Sequence, residues 1–182
     1  MEAGSFWGRY GREAAKKVGP SGLLILIEPD PMSEKITRLV MKKEDIENVI
    51  FLQYAISDYV GSTPFVTWGN PAGHRMADPA TIAHPEYGKC IINVQVITID
   101  RIVEILGLKR IDLLACDVEN QEIPLVKGAM NSFKSHIIHN VALATYHADH
   151  TSIPNHKFIV PLLESWGYKD LIYEDGVLYG HD

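Results

Sequence analysis

The most constraining feature of the chain is Leu23-Leu-Ile-Leu-Ile27, a run that is apolar at every position. Side chains alternate between the two faces of a strand, so an all-apolar strand must be covered on both. That requirement is met in parallel sheets flanked by helices. Ile111-Asp-Leu-Leu-Ala-Cys-Asp117 reads the same way, and Val49–Ala55, Ile91–Val96 and Asn140–Tyr146 are further strands. Helical segments fall between them. Arg9–Val18 closes on Gly19-Pro20-Ser21-Gly22, and Asp30 caps a helix with Pro31 at its first position. There Ile36, Leu39, Val40 and Lys43 follow at helical spacing. Thr98 caps a helix that ends at Gly107, and Leu125–Phe133 and Asn155–Trp166 are two more. Asp175-Gly176, set between apolar triplets, marks a hairpin with a primed turn. The pattern predicts one α/β domain over residues 1–182, with an open, doubly wound sheet finished by an antiparallel hairpin. Asn70–Lys89, rich in Pro, Gly and His, is expected to be a long functional loop or lid.

Composition narrows the function classes. The 182 residues include 23 acidic and 17 basic side chains, for a net charge of −6 and a pI of about 5.7. That balance lacks the basic face of a nucleic-acid binder. The longest apolar run is far short of the roughly 18 residues that cross a bilayer, so no membrane association is expected. The first residues carry no basic region followed by an apolar stretch. Cys90 and Cys116 make neither a disulfide framework nor a four-cysteine zinc site, which points to a reducing cytoplasm. An enzyme or small-molecule binder is the reading that survives.

In doubly wound sheets ligands bind outside the carboxyl ends of strands, and three such ends are furnished here. Glu2-Ala-Gly4-Ser-Phe-Trp-Gly8 precedes a helix, and its glycines permit close backbone approach and a tight turn. Glu28 ends the apolar strand 20 residues after Gly8, the distance at which dinucleotide-type folds place an acid on a ribose. The competing reading is a solvated strand end or a helix-capping group. Strand alternation puts Asp117 and Glu119 on one side and Val118 on the other. Two acids there suit a general base, a cation or a substrate hydroxyl, or simply favour the positive end of the next helix.

In this order the pieces resemble the FkbM-like family of S-adenosylmethionine-dependent methyltransferases. The most specific stretch is Thr98-Ile-Asp100, then Ile111-Asp-Leu-Leu-Ala-Cys-Asp117-Val-Glu119 and Leu125-Val-Lys-Gly-Ala129. Ile27-Glu-Pro-Asp-Pro31, Ala55-Ile-Ser-Asp58 with Gly61, and Gly167-Tyr168 are similar to other family motifs. The resemblance implies a Rossmann-like class I methyltransferase fold, S-adenosylmethionine as cofactor and an oxygen of a small molecule or sugar as acceptor. It implies that Glu2, Gly4, Phe6 and Gly8 hold the methionine and ribose parts. Glu28 and Pro29 would lie at the ribose hydroxyls, and Ala55, Ile56, Ser57 and Asp58 would flank the adenine. Asp117 and Glu119 would face the methyl and the acceptor, with Asp117, Glu119 or His147 available to take a proton. Family members carry a buried strand before the glycines, whereas only Met1 precedes Glu2 here. A sheet lacking its first strand is therefore expected, in a shortened chain or one whose gap another segment or subunit fills. Asn120 replaces a family glycine, Pro124 stands near a helix start, and Thr145-Tyr146-His147 replaces an acid-histidine pair.

Other readings compete. His136, His139, His147, Asp149, His150 and His156 are zinc-ligand types, yet an apolar strand separates the two clusters, so no metal is expected. Cys116 reads as a core residue, and Trp68 and Trp166 as core or pocket lining. Trp7, inside the glycine loop, is a cofactor-contact candidate. The alternative from a different class is a non-catalytic or truncated methyltransferase-fold protein that binds a nucleoside ligand or a partner without methyl transfer.

Overall fold

The computed structural model describes residues 1–67, 69, 73–84, 86, 89–147 and 153–182. The chain packs as two compact units, each assembled from separate stretches of sequence. The N-terminal unit comprises Glu2–Ala55 and Gly61–Val96; the C-terminal unit comprises Met1, Ile56–Val60 and Ile97–Asp182.

In the N-terminal unit, β1 (Glu2–Ala3), α1 (Arg9–Val18), β2 (Leu24–Ile27), α2 (Pro31–Lys43) and β3 (Val49–Leu52) alternate, all but β1 as expected. The three strands are parallel with β2 between the others, pairing Glu2 with Leu26 and Leu24 with Val49. All four residues of β2 are buried, which is why an all-apolar run is stable there. Each such side chain contributes roughly 1.5–3 kcal/mol by leaving water. Leu24 and Leu26 pack with Ala15 of α1 and Met41 of α2. Asp30 accepts the Met32 N–H as the cap of α2, and Pro31 occupies the first helical position. The expectation of no strand ahead of the glycines needs correction, since Glu2–Ala3 form a two-residue strand on β2.

The same unit contains a second sheet that was not expected. There β5 (Gly61–Val66) pairs antiparallel with both β6 (Arg75–Met76) and β7 (Ile91–Ile97). The segment around Ile91 therefore belongs to an antiparallel sheet rather than to the parallel one. Its neighbour β5 was hidden from sequence reading by Pro64, which lacks a ladder donor. Val49–Ala55 divides into β3 and β4 (Ala55–Ile56). Within the stretch expected to be structureless, β6 and α3 (Pro79–Ala83) form, the latter capped by Asp78 on the Thr81 N–H. Trp68, Asp149 and His150, and part of the Asn70–Lys89 loop, lie outside the described residues.

The C-terminal unit holds α4 (Ile99–Leu106), β8 (Leu114–Cys116), α5 (Glu122–Gly128), α6 (Met130–Lys134), β9 (Asn140–Ala144), α7 (His156–Ser165), β10 (Lys169–Glu174) and β11 (Val177–His181). β8 and β9 are parallel, β9 and β11 antiparallel, and β11 and β10 form the C-terminal hairpin. Its turn has φ 48° at Asp175 and 86° at Gly176, the left-handed pair a primed turn requires. Thr98 caps α4 on the Arg101 N–H, and Gly107 closes it at φ 62°. The expected Leu125–Phe133 helix starts earlier and breaks at Ala129. Asp100 causes the restart by accepting the Asn131 and Ser132 N–H groups and the Ser132 hydroxyl. Met1 donates its amine to the Leu113 carbonyl and accepts the Ala115 N–H beside β8. No helix among the described residues is long and apolar enough to cross a membrane.

Candidate functional site

Each unit carries one cluster of expected site residues. In the N-terminal unit the glycine loop turns through left-handed backbone at Gly4 (φ 77°), Phe6 (φ 48°) and Gly8 (φ 72°). Its shape is imposed by β2. The Gly4 and Ser5 N–H groups both donate to the Ile27 carbonyl, and the Phe6 N–H donates to Glu28 Oε2 at 2.8 Å. The Asp30 N–H donates to Glu28 Oε1 at 3.0 Å, so one carboxylate ties the glycine loop to the α2 cap. Each Glu28 oxygen keeps acceptor capacity for a further donor. Burial pushes the Glu28 carboxyl up to about 7 against the pull of those two N–H groups. Glu2, also buried, is pushed up to about 7 by the same desolvation, with Glu28 adding to the effect. Ser5 Oγ is buried and has no hydrogen-bond partner among the described residues. Beneath the loop, Thr37 donates its hydroxyl to the Phe6 carbonyl, and a Cβ on Gly8 would lie 2.7 Å from Thr37 Cγ2. Phe6 and Trp7 stack at 4.5 Å, with Trp7 44% exposed.

The C-terminal unit carries the second cluster, at the end of β8. Left-handed backbone at Glu119 (φ 49°) and Asn120 (φ 72°) turns the chain there. Strand alternation therefore does not apply beyond Cys116, yet Asp117 and Glu119 still come together. With His147 they place one polar atom each within 4.8 Å of one another. His147 sits between two carboxylates, Nε2 at 3.3 Å from Glu119 and Nδ1 at 2.9 Å from Glu122. Its burial alone would lower the imidazole, but those carboxylates overcome it and hold the ring up to about 10. Both carboxylates therefore favour the imidazolium form of His147. Tyr146 donates its hydroxyl to the Asp117 carboxylate at 3.2 Å. Desolvation raises the Asp117 carboxyl from its ordinary value despite His147 and Tyr146. Glu122 is fully buried, and its other oxygen accepts from Asn155 Nδ2 at 2.6 Å.

Comparison with known proteins fixes the family. The sequence profile described as Methyltransferase FkbM domain matches residues 4–169. The chain belongs to the FkbM methyltransferase family. The crystal structure of methyltransferase FkbM from Methylobacillus flagellatus KT aligns with 99% of this chain at 16% identity and a TM-score of 0.65, which shows the fold. This chain spans 42% of the length of that FkbM structure. A SAM-dependent methyltransferase from Aquifex aeolicus aligns over 99% of this chain and 78% of its own, at 11% identity and a TM-score of 0.49. Among curated proteins none matches.

The remaining residues implied by the FkbM resemblance are placed as follows. Ala55, Ile56 and Ser57 are buried and Asp58 is exposed; Ser57 Oγ lies 3.3 Å from Gln121 Oε1. Pro29 follows Glu28 and is partly buried. His136 and His139 sit at Asp182, at the opposite end of β9 from His147, as expected from the strand between them. Cys116 is buried, and burial raises its thiol well above the usual range. Sequence reading missed Glu122 and Asn155, which are joined only by tertiary contact. It also missed the buried Asp30–His74 pair at 3.2 Å, which joins α2 to a distant loop. A groove of about 470 Å³ lined by Thr98, Asp100, Arg101 and Ser132 contains none of the expected site residues.

Proposed function

We propose that this chain is an S-adenosylmethionine-dependent methyltransferase that methylates an oxygen of a small molecule or sugar. The observation that carries the proposal is the left-handed glycine loop tied through Phe6 to the buried carboxylate of Glu28. The loop fits a nucleoside ligand bearing an amino acid. Ser5 Oγ is buried and unpartnered, and both Glu28 oxygens keep room for ribose hydroxyl donors. Glu2, Gly4, Phe6 and Gly8 would hold the methionine and ribose parts, Glu28 with Pro29 the ribose, and Ala55–Asp58 the adenine. When bound, S-adenosylmethionine supplies an electrophilic methyl group on a sulfonium, open to in-line attack by an oriented nucleophile.

Asp117, Glu119 and His147 would supply the acid–base chemistry. A hydroxyl acceptor loses its proton as the new C–O bond forms, and Asp117, made more basic by burial and aimed by Tyr146, is the acceptor of that proton. Glu119 and the His147 imidazolium beside it orient the incoming hydroxyl. The two free cysteines, Cys90 and Cys116, support a reducing compartment, the cytoplasm.

The test is transfer of label from methyl-tritiated S-adenosylmethionine to a panel of monosaccharides and polyols. The proposal expects an alkali-stable methyl ether and a loss of roughly 10²–10⁴ in rate for Asp117→Asn, the usual range for removing a general base. Label found on nitrogen, or a rate indifferent to Asp117→Asn, would overturn it.

A further inference from the structure

The C-terminal unit contains a buried carboxylate that the reaction above does not use. Glu122 is fully buried at the first position of α5, where an unpaired charge would be costly. Its two oxygens are both engaged, Oε1 by His147 Nδ1 at 2.9 Å and Oε2 by Asn155 Nδ2 at 2.6 Å. Asn155 also grips His147 through the backbone, donating its N–H to the His147 carbonyl at 3.1 Å. We propose that Glu122, seated by Asn155, is a positioning residue that fixes the His147 ring with Nε2 directed at Glu119. The role in catalysis rests on the methyltransferase reading; the positioning itself does not.

The chain of contacts runs Glu119–His147–Glu122–Asn155 and ends on an amide that carries no exchangeable acid proton at working pH. Among the described residues a proton on His147 therefore has one outlet, Nε2, toward Glu119. Among the described residues, the groups that bear on the ring are Glu119 and Asp117 from the turn after β8, Glu122 from α5, Asn155 at the start of α7, and Tyr146, whose ring lies 4.1 Å from it. A buried carboxylate behind one nitrogen, with the other nitrogen presented to the site, is how proteins fix both the tautomer and the direction of an imidazole. Removal of Glu122 would leave the ring free to turn and Glu119 without a fixed counter-ion.

Nitrogen-15 NMR of the histidine ring in the full chain tests this, with the His147 signals assigned by their loss in His147→Gln. In the wild type both ring nitrogens are expected to stay protonated beyond pH 8. Glu122→Gln should lower the His147 midpoint, raising its acidity constant at least tenfold, while circular dichroism shows a retained fold. An unchanged midpoint in a folded Glu122→Gln chain would overturn the proposal. Glu119→Gln, at a partly exposed site, provides an arm that does not depend on a buried substitution. It should leave a downfield, slowly exchanging Nδ1 proton in place, because Glu122 still holds that nitrogen; loss of that signal would also overturn the proposal. Both arms are read without cofactor or acceptor. A chain that passes them but binds no S-adenosylmethionine would keep the positioning role and lose the methyltransferase reading.

Discussion

Gly8 bears two demands at once, a φ of 72° and a Cβ position 2.7 Å from Thr37 Cγ2. Gly8→Ala is therefore expected to destabilise the chain by roughly 1–3 kcal/mol, measured by denaturant unfolding. Glu28 makes a different prediction, one of pH. Its carboxyl is pushed up to about 7 in the folded chain, as is that of Glu2, against an ordinary value of 4.5. Between about 4.5 and 7 the folded chain holds protons that the unfolded chain has released, so raising the pH through this window costs stability. The His147 imidazolium, held up to about 10, acts in the same direction above its ordinary 6.5. The unfolding midpoint should fall from pH 5 to pH 8, and less steeply in Glu28→Gln. A glutamine there offers one acceptor to two N–H donors, so the variant is also less stable at pH 5, by on the order of 1–3 kcal/mol. A midpoint that rises from pH 5 to pH 8 would contradict the buried-acid account.

Among the elements, α5 and α6 show where local sequence chemistry governs and where it fails. The caps at Asp30 and Thr98, the closing Gly107 and the Asp175-Gly176 turn were legible because each depends on a few adjacent residues. The break at Ala129 was not, because Asp100 creates it from 31 residues away. Glu122 looked like an ordinary first-turn acid, since nothing nearby in sequence reveals that it is buried against His147 and Asn155. Asp117 and Glu119 were paired correctly but through strand alternation, whereas a left-handed turn at Glu119 and Asn120 brings them together. Two substitutions probe these elements. Asp100→Ala removes the acceptor for α6 and should cost about 1–2 kcal/mol, as loss of a cap does. A Gly→Ala change within a helix usually stabilises by roughly 0.5–1 kcal/mol. Gly128→Ala should do the reverse, since its Cβ would press on the Ser57 carbonyl oxygen. Equal or greater stability of Gly128→Ala in urea would show that α5 can move off that loop.

At the scale of the whole molecule, family membership rests on a sequence profile spanning residues 4–169, and the fold on an alignment covering 99% of the chain. Local patterns revealed the strand–helix alternation but not the antiparallel β6-β5-β7 sheet, because Pro64 and the Pro- and Gly-rich stretch after it disguised β5 and β6. The central claim is that the glycine loop and Glu28 bind S-adenosylmethionine, and titration calorimetry of the full chain with S-adenosylmethionine tests it most directly. The account predicts saturable one-to-one binding, at least tenfold weaker in Glu28→Gln, and a raised melting temperature for the complex. A folded chain that gives no binding heat at millimolar S-adenosylmethionine, or a Glu28→Gln chain that binds as tightly as the wild type, would contradict it.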